Sequence, residues 1–246
     1  MILSVNNKLV SINGKLSNWT APEPGVVPSD MHFLYLANNY DGTKIPNSAS
    51  NSTIGDFLRY ESGTLTKFGS GANCYIDNGN NRYNYLYTIF SEDDLNLMKA
   101  VNNTYTYYIR YVVTNGGTGG LICWRDGSST GGSDGYRYMF RCESTRIQYH
   151  TSSGYNTNLS LTQDTVYKAV INGDYCYIED LNDNSKNYSL TQSFSRTMNR
   201  KMTAFWAGYS SEYVSNMHFY GIAGIPRLTT PEEDQAIKDV LMNQNL

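Results

Sequence analysis

The sequence predicts an all-β antiparallel sandwich, and three observations carry that prediction. The first is a paired excess of 22 Tyr and 27 Asn in 246 residues. Tyr suits a pleated, half-buried surface while Asn and Gly suit tight turns, so the two together describe many strands joined by short loops. The second is alternation of apolar and polar side chains, clearest over residues 104–113. The third is the scarcity of helical periodicity before the C-terminus. This length is ordinary for a sandwich kept as one unit.

The chain opens on a short internal repeat, in which residues 3–9 (Leu-Ser-Val-Asn-Asn-Lys-Leu) are followed directly by residues 10–16 (Val-Ser-Ile-Asn-Gly-Lys-Leu). Each unit alternates into an Asn-Asn or Asn-Gly turn, which predicts a small β-meander. Pro22, Pro24 and Pro28 then stiffen an extended connector, because proline fixes φ and removes a backbone donor. Residues 1–29 are therefore read as an arm and residues 30–246 as the sandwich. The arm has two readings: an attachment peptide that docks on a partner's sheet through Leu3, Val5, Leu9, Val10, Ile12, Leu16 and Trp19, or an edge strand folded back over its own domain.

From residue 30 strands dominate. Residues 32–36 lead into Tyr40-Asp41-Gly42, a turn, and then into an Asn/Ser loop over 47–53. Over 104–113, Tyr105, Tyr107, Ile109, Tyr111 and Val113 share one face at period two. Further strands are predicted over 121–125, 136–142 and 146–150, with Gly/Ser/Asp/Thr loops between them. Residues 166–171 and 175–179 form a hairpin around Asn172-Gly173-Asp174, since Asn-Gly accepts the positive φ angles of a type I′ turn. Two late strands cover 202–207 and 216–222. Thr230 caps a C-terminal helix with Pro231 at its first position and Glu233 completing a capping box, and Ala236, Ile237, Val240 and Leu241 form its apolar stripe. A second, short helix is predicted over 92–100.

Charge excludes some partners. Charged residues are 17% of the chain, against roughly 25% in ordinary globular proteins, so neutral side chains supply the surface polarity. A net charge of -3 and a pI near 5.6 leave no basic footprint, which argues against nucleic acid and against an anionic membrane surface. No apolar run approaches a membrane span, and the N-terminus lacks the charged start and apolar stretch of a signal peptide. Cys74, Cys123, Cys142 and Cys176 have no CxxC spacing and sit among apolar neighbours, so they read as buried free thiols of a reducing compartment. Long Tyr-lined strands with few charges match subunit-interface composition, which leaves a homo-oligomer open.

The order of these signals resembles the concanavalin A-like jelly roll in its laminin G-like form. The Tyr40-Asp41-Gly42 turn with Asn47-Ser48-Ala49, the middle hairpin, and a last strand running into Leu228-Thr229-Thr230-Pro231-Glu232-Glu233 carry the resemblance over roughly residues 30–242. A second resemblance is to bacteriophage virion proteins: head-fibre, capsid-decoration and tail proteins. It rests on the repeated start, the Tyr/Asn/Gly-rich sandwich and the ending from Phe219 to Arg227. That resemblance implies assembly in a host cytoplasm, a place on the virion, and an arm that engages other virion proteins.

Hydrolases on the jelly-roll fold carry a Glu-x-Asp-x-x-Glu strand that sets two carboxylates at a fixed separation. That motif is absent, because Glu179 and Asp180 are neighbours on opposite faces and the chain then turns. No nucleophile elbow appears, and His32, His150 and His218 lie in strand-like runs. The Gly-rich loops at 116–120 and 131–132 lead into no helix and carry no P-loop Lys. Two oxygen-rich stretches, 180–185 and 77–81, look like calcium loops, but Ser185 replaces the turn glycine and turn chemistry accounts for both, so no cofactor or metal is expected. Glycan contact needs aromatic platforms beside hydroxyl-pairing groups, and the candidates are Trp124-Arg125-Asp126, Tyr155-Asn156, and Trp206 with Tyr209. The expected function is a non-enzymatic virion component presenting a lectin-like sandwich. The alternatives are a carbohydrate-binding module recognising host-surface glycans and, third, a divergent polysaccharide hydrolase.

Overall fold

The computed structural model describes residues 10–12, 15–17, 26–61, 63–79, 81, 84–98, 100, 103–114, 119–124, 138–143, 146–151, 154–160, 164–191, 201–205 and 217–246. Residues 10–12, 15–17, 119–124, 138–143, 146–151, 154–160 and 201 are described by backbone alone, apart from the side chains of Phe140, Ile147 and Leu159.

The strands in chain order are β1 (Val10–Ile12), β2 (Lys15–Ser17), β3 (Phe33–Leu36), β4 (Lys44–Ile45), β5 (Phe57–Arg59), β6 (Thr66–Phe68), β7 (Tyr75–Asp77) and β8 (Leu86–Ile89). Helix α1 (Glu92–Met98) follows, then β9 (Thr104–Val113), β10 (Gly119–Trp124), β11 (Tyr138–Glu143), β12 (Arg146–Thr151) and β13 (Gly154–Ser160). The last elements are β14 (Thr165–Asn172), β15 (Tyr175–Asp180), β16 (Asp183–Thr191), β17 (Lys201–Ala204), β18 (Met217–Ile225) and α2 (Pro231–Asn243).

Among the described residues these strands make two eight-stranded antiparallel sheets, a jelly-roll-like sandwich. One sheet runs β13-β12-β11-β10-β17-β8-β5-β4. The other runs β16-β15-β14-β9-β18-β7-β6, with β3 also pairing with β18. Along one edge of β18, β7 pairs with His218 and Phe219 while β3 pairs with residues 221–224. Strands β1 and β2 pair with each other in a separate two-stranded sheet, with Ile12 opposite Lys15 and Val10 opposite Ser17.

The period-two face of β9 lies between the sheets. Tyr105, Tyr107, Ile109, Tyr111 and Val113 all join the inter-sheet core, whereas Tyr108 joins a second cluster under α2. Buried tyrosines need partners for their hydroxyls. Tyr35 donates to the Gly55 carbonyl at 2.6 Å, Tyr105 pairs with His32 Nδ1 at 3.2 Å, and Tyr107 donates to the Met98 carbonyl at 3.4 Å. The Tyr excess is therefore in part a core feature.

Close packing of this core yields a prediction at Gly224. A Cβ there would sit 2.5 Å from Phe33 Cζ and 2.7 Å from the Tyr105 hydroxyl, both fully buried. Gly224→Ala is expected to cost about 1–3 kcal/mol through overpacking. Denaturant unfolding measures this, and an unchanged midpoint would contradict it.

Helix α2 forms as its signals predict. Thr230 Oγ1 accepts from the Glu233 amide at 3.3 Å while Glu233 accepts from the Thr230 amide at 2.9 Å. Its stripe of Ala236, Ile237, Val240 and Leu241 is buried; Ile237, Val240 and Leu241 seat on Leu34, Leu36, Tyr108, Val166, Ala223 and Ile225 of the second sheet's outer face.

Three local expectations are corrected. The β14–β15 hairpin closes on the pair Asn172 and Tyr175, so its loop is Gly173-Asp174, and only Gly173 takes positive φ, at 56°. Gly at the first central position favours a type II′ pattern over the expected type I′. Residues 183–191, whose Asn/Asp-rich start reads as turn, form strand β16, because pairing with β15 and burial of Tyr188 and Leu190 against the core override turn propensity. Tyr155 and Asn156, expected in a loop, lie in β13 opposite His150 and Tyr149, where hairpin pairing sets the conformation.

Candidate functional site

Alternation builds the site on the outer face of the second sheet, beside α2. In β7, Ile76 enters the core, so Tyr75 and Asp77 point outward; in β18, Phe219 enters the core, so His218 and Tyr220 point outward. The register sets Phe68 opposite Tyr75 and His218 opposite Asp77. The result is a continuous row of rings. Phe68 stacks on Tyr75 at 5.2 Å and 23°, and Tyr75 stacks on His218 at 3.9 Å and 19°.

Phe68, on the sheet edge, is 43% exposed, and Tyr75 and His218 are half-buried. An apolar ring this exposed has no role in the core; because the three rings stack face to face, Tyr75 and His218 show their edges to solvent and Phe68 is the most open of the three. Asp77 stands at the end of the row, its carboxylate 3.6 Å from His218 Nε2 and accepting from the Gly79 amide at 2.6 Å.

The row has a rigid base. Tyr220 lies 5.7 Å from Tyr75 and is covered by the Arg110 guanidinium at 4.1 Å. Arg110 Nε and Nη2 donate to Asp164 at 2.9 and 2.7 Å, and Nη1 donates to the carbonyls of Ala72, Leu241 and Met242 at 2.9–3.0 Å. Two of those carbonyls end α2, where intrahelical partners run out. Burial pushes the Tyr220 hydroxyl above its ordinary value.

Burial, opposed by Asp77, holds His218 below its ordinary value of 6.5, and burial, opposed by Asp94 and Asp30, does the same to His32. Both are favoured neutral in the fold, so the unfolded chain takes up protons first as pH falls through about 6.5. Stability is expected to be flat above that value and to fall below it. The depressed carboxylates of Asp30, Asp56 and Glu233 lose their contribution only at lower pH, near and below their ordinary values. Unfolding free energy measured between about pH 8 and pH 5 checks this, with His32→Gln/His218→Gln expected to flatten the slope.

A second polar cluster lies where α2 begins. A cavity of about 500 Å³ is lined by Lys168, Glu179, Asn184, Asp234 and Lys238 among others. Lys168 is nearly buried and bonds Asp234 at 2.6 Å with Glu179 at 3.6 Å; Tyr108 donates to Asp234; Lys238 donates to the Leu181 carbonyl at 2.9 Å. These bonds tie the helix to β14, β9 and the β15–β16 turn, which accounts for the cluster as a docking lock.

Of the residues singled out from the sequence, Trp124 ends β10 and Tyr155 and Asn156 lie in β13. Their side chains, and all of Arg125, Asp126, Trp206 and Tyr209, lie outside the described residues. Val10 and Ile12 are in β1 and Leu16 in β2, while Leu3, Val5, Leu9 and Trp19 lie outside the described residues. Cys74 and Cys176 are free and buried, and burial pushes both thiols up. The two oxygen-rich stretches use their carboxylates locally: Asp77 accepts from the Gly79 amide, Asp180 from the Asn182 amide and Asp183 from Ser185. Among the described residues no cluster of three or more His, Cys, Asp or Glu could hold a metal ion, and no helix is long and apolar enough to cross a membrane.

Comparison with known proteins places the architecture. Botulinum neurotoxin type C, whose cell entry depends on interaction with two ganglioside molecules, is similar at a TM-score of 0.59 and 10% identity, over 87% of this chain and 52% of that one. The fold is what they share. The binding domain of Paraclostridial Mosquitocidal Protein 1 gives 0.56 at 11% identity, over 87% and 52%. Trypanosoma rangeli sialidase gives 0.53 at 9%, over 89% and 33%. The chain thus spans a third to about half of each solved chain. No protein-family model and no curated protein matches it.

Proposed function

We propose that the chain is a non-catalytic carbohydrate-binding sandwich whose binding face is the row of Phe68, Tyr75 and His218, with Asp77 at its end. The observation that carries this reading is the stack itself: flat rings at 5.2 and 3.9 Å, open to solvent at Phe68, beside a carboxylate and an imidazole. Rings take the apolar face of a sugar, and a carboxylate beside them accepts from its hydroxyls. The similar folds of a ganglioside-dependent toxin and of a sialidase solved in complex with a difluoro sugar acid lend support. A glycan array with the full chain is expected to light a defined subset of structures. Silence across host polysaccharides would overturn the reading.

The finer placement is on a bacteriophage virion, with the arm engaging other virion proteins. It is favoured by β1 and β2, which pair with each other and, among the described residues, join neither large sheet. Removing residues 1–25 keeps Val27, which packs on the cluster under α2. The truncated chain is expected to stay folded and bind glycan but to be lost from particles; normal incorporation would exclude this role for the arm.

A further inference from the structure

We infer that the aromatic row selects neutral glycans and rejects those carrying a terminal carboxylate, such as sialylated chains, a selectivity that rests on the proposed carbohydrate-binding face. The charges around the row carry this inference.

Asp77 is the carboxylate at the row, with 28% of its side chain exposed. Its neighbour His218 supplies an imidazole favoured in its neutral form at neutral pH, so among the described residues the Asp77 charge stands without a cation against it. Behind Tyr220, the half-exposed Asp164 adds a second carboxylate already bonded to Arg110.

The cations of the surrounding strands face elsewhere. On β6, Lys67 turns its ammonium to the carbonyls of Asn38 and Tyr40, at 2.6 and 3.3 Å. On β9, Arg110 is buried beneath Tyr220, its donors spent on Asp164 and three carbonyls. Strand β7 holds no Lys or Arg, and β18 holds none either. A sugar resting against the open edge of the row with its hydroxyls toward Asp77 therefore meets an acceptor, while a sugar acid in the same place meets like charge, which is repulsive at these distances.

The test uses the full chain and matched glycan pairs that differ only by one terminal sialic acid. The neutral member is expected to bind at least about tenfold tighter at pH 7.5, and Asp77→Asn, which keeps the acceptor for the Gly79 amide, is expected to bring the pair within about threefold. Should that variant fail to fold, the native chain gives the same answer through salt: raising ionic strength from about 0.05 to about 0.5 M screens Asp77 and is expected to shrink the preference. Equal binding of both members, tighter binding of the sialylated one, or a preference indifferent to salt would overturn the selectivity and leave the carbohydrate face standing. Silence for both members would overturn the carbohydrate face, and the selectivity with it.

Discussion

Arg110→Ala is expected to lower the unfolding free energy by about 1.5–3 kcal/mol, the range for losing hydrogen bonds to a charged group, because half-exposed Asp164 is left to water rather than as a buried charge. The side chain is only 3% exposed, yet it joins four parts of the molecule. It covers the Tyr220 ring, binds Asp164 with two nitrogens, holds the Ala72 carbonyl between β6 and β7, and meets the Leu241 and Met242 carbonyls at the end of α2. Alanine would take the donor from the part-buried Ala72 and Met242 carbonyls, while Leu241 keeps Gln244 Nε2 at 2.7 Å, and would open space against Tyr220. Lysine keeps the charge but lacks the planar fork, so Arg110→Lys is expected to recover only part of the loss. Denaturant unfolding reads this as a lower midpoint with an unchanged slope. A loss below about 1 kcal/mol, the size of one ordinary hydrogen bond, would show that the α2 end and the sheet are held by other contacts.

Tyr75→Ala is expected to weaken glycan binding about thirtyfold, equivalent to about 2 kcal/mol, as for a central aromatic anchor. Tyr75 touches Phe68, His218 and Tyr220, so its removal breaks the row in the middle. Tyr75→Phe separates stacking from hydrogen bonding, because it keeps the ring and removes the hydroxyl. If stacking dominates, Tyr75→Phe holds affinity within about threefold. Titration calorimetry with a ligand found on the array measures both. Full affinity in Tyr75→Ala would remove the row from the binding site.

The long elements were legible because their patterns outlast noise. Strand β9 has ten residues and one apolar face, α2 has cap, proline and stripe together, and the β14–β15 pair has its glycine turn. Strands β4 to β8 carry two to four residues each, too short for alternation to stand out from loop. Strand β16 was hidden by composition, since Asn, Asp and Ser favour turns until a neighbouring strand pairs with them.

The site was missed for a related reason. Tyr75-Ile76-Asp77 and His218-Phe219-Tyr220 each alternate out-in-out, a signal readable in principle, but Asp77-Asn78-Gly79 also reads as a turn and His218 as a packed histidine. What no local pattern could supply is the register that sets Phe68 across from Tyr75, and Asp77 across from His218. By sequence alone, tryptophans and loop tyrosines suit sugars better than a row assembled from three strands.

The location of the ligand is tested most directly by backbone amide chemical-shift mapping of the full chain as a neutral glycan from the array is added. Shifts concentrated at Phe68, Tyr75, Asp77, Gly79 and His218 are the predicted result. Shifts centred instead on Trp124 and Tyr155, with the β6–β7–β18 face unmoved, would contradict the account.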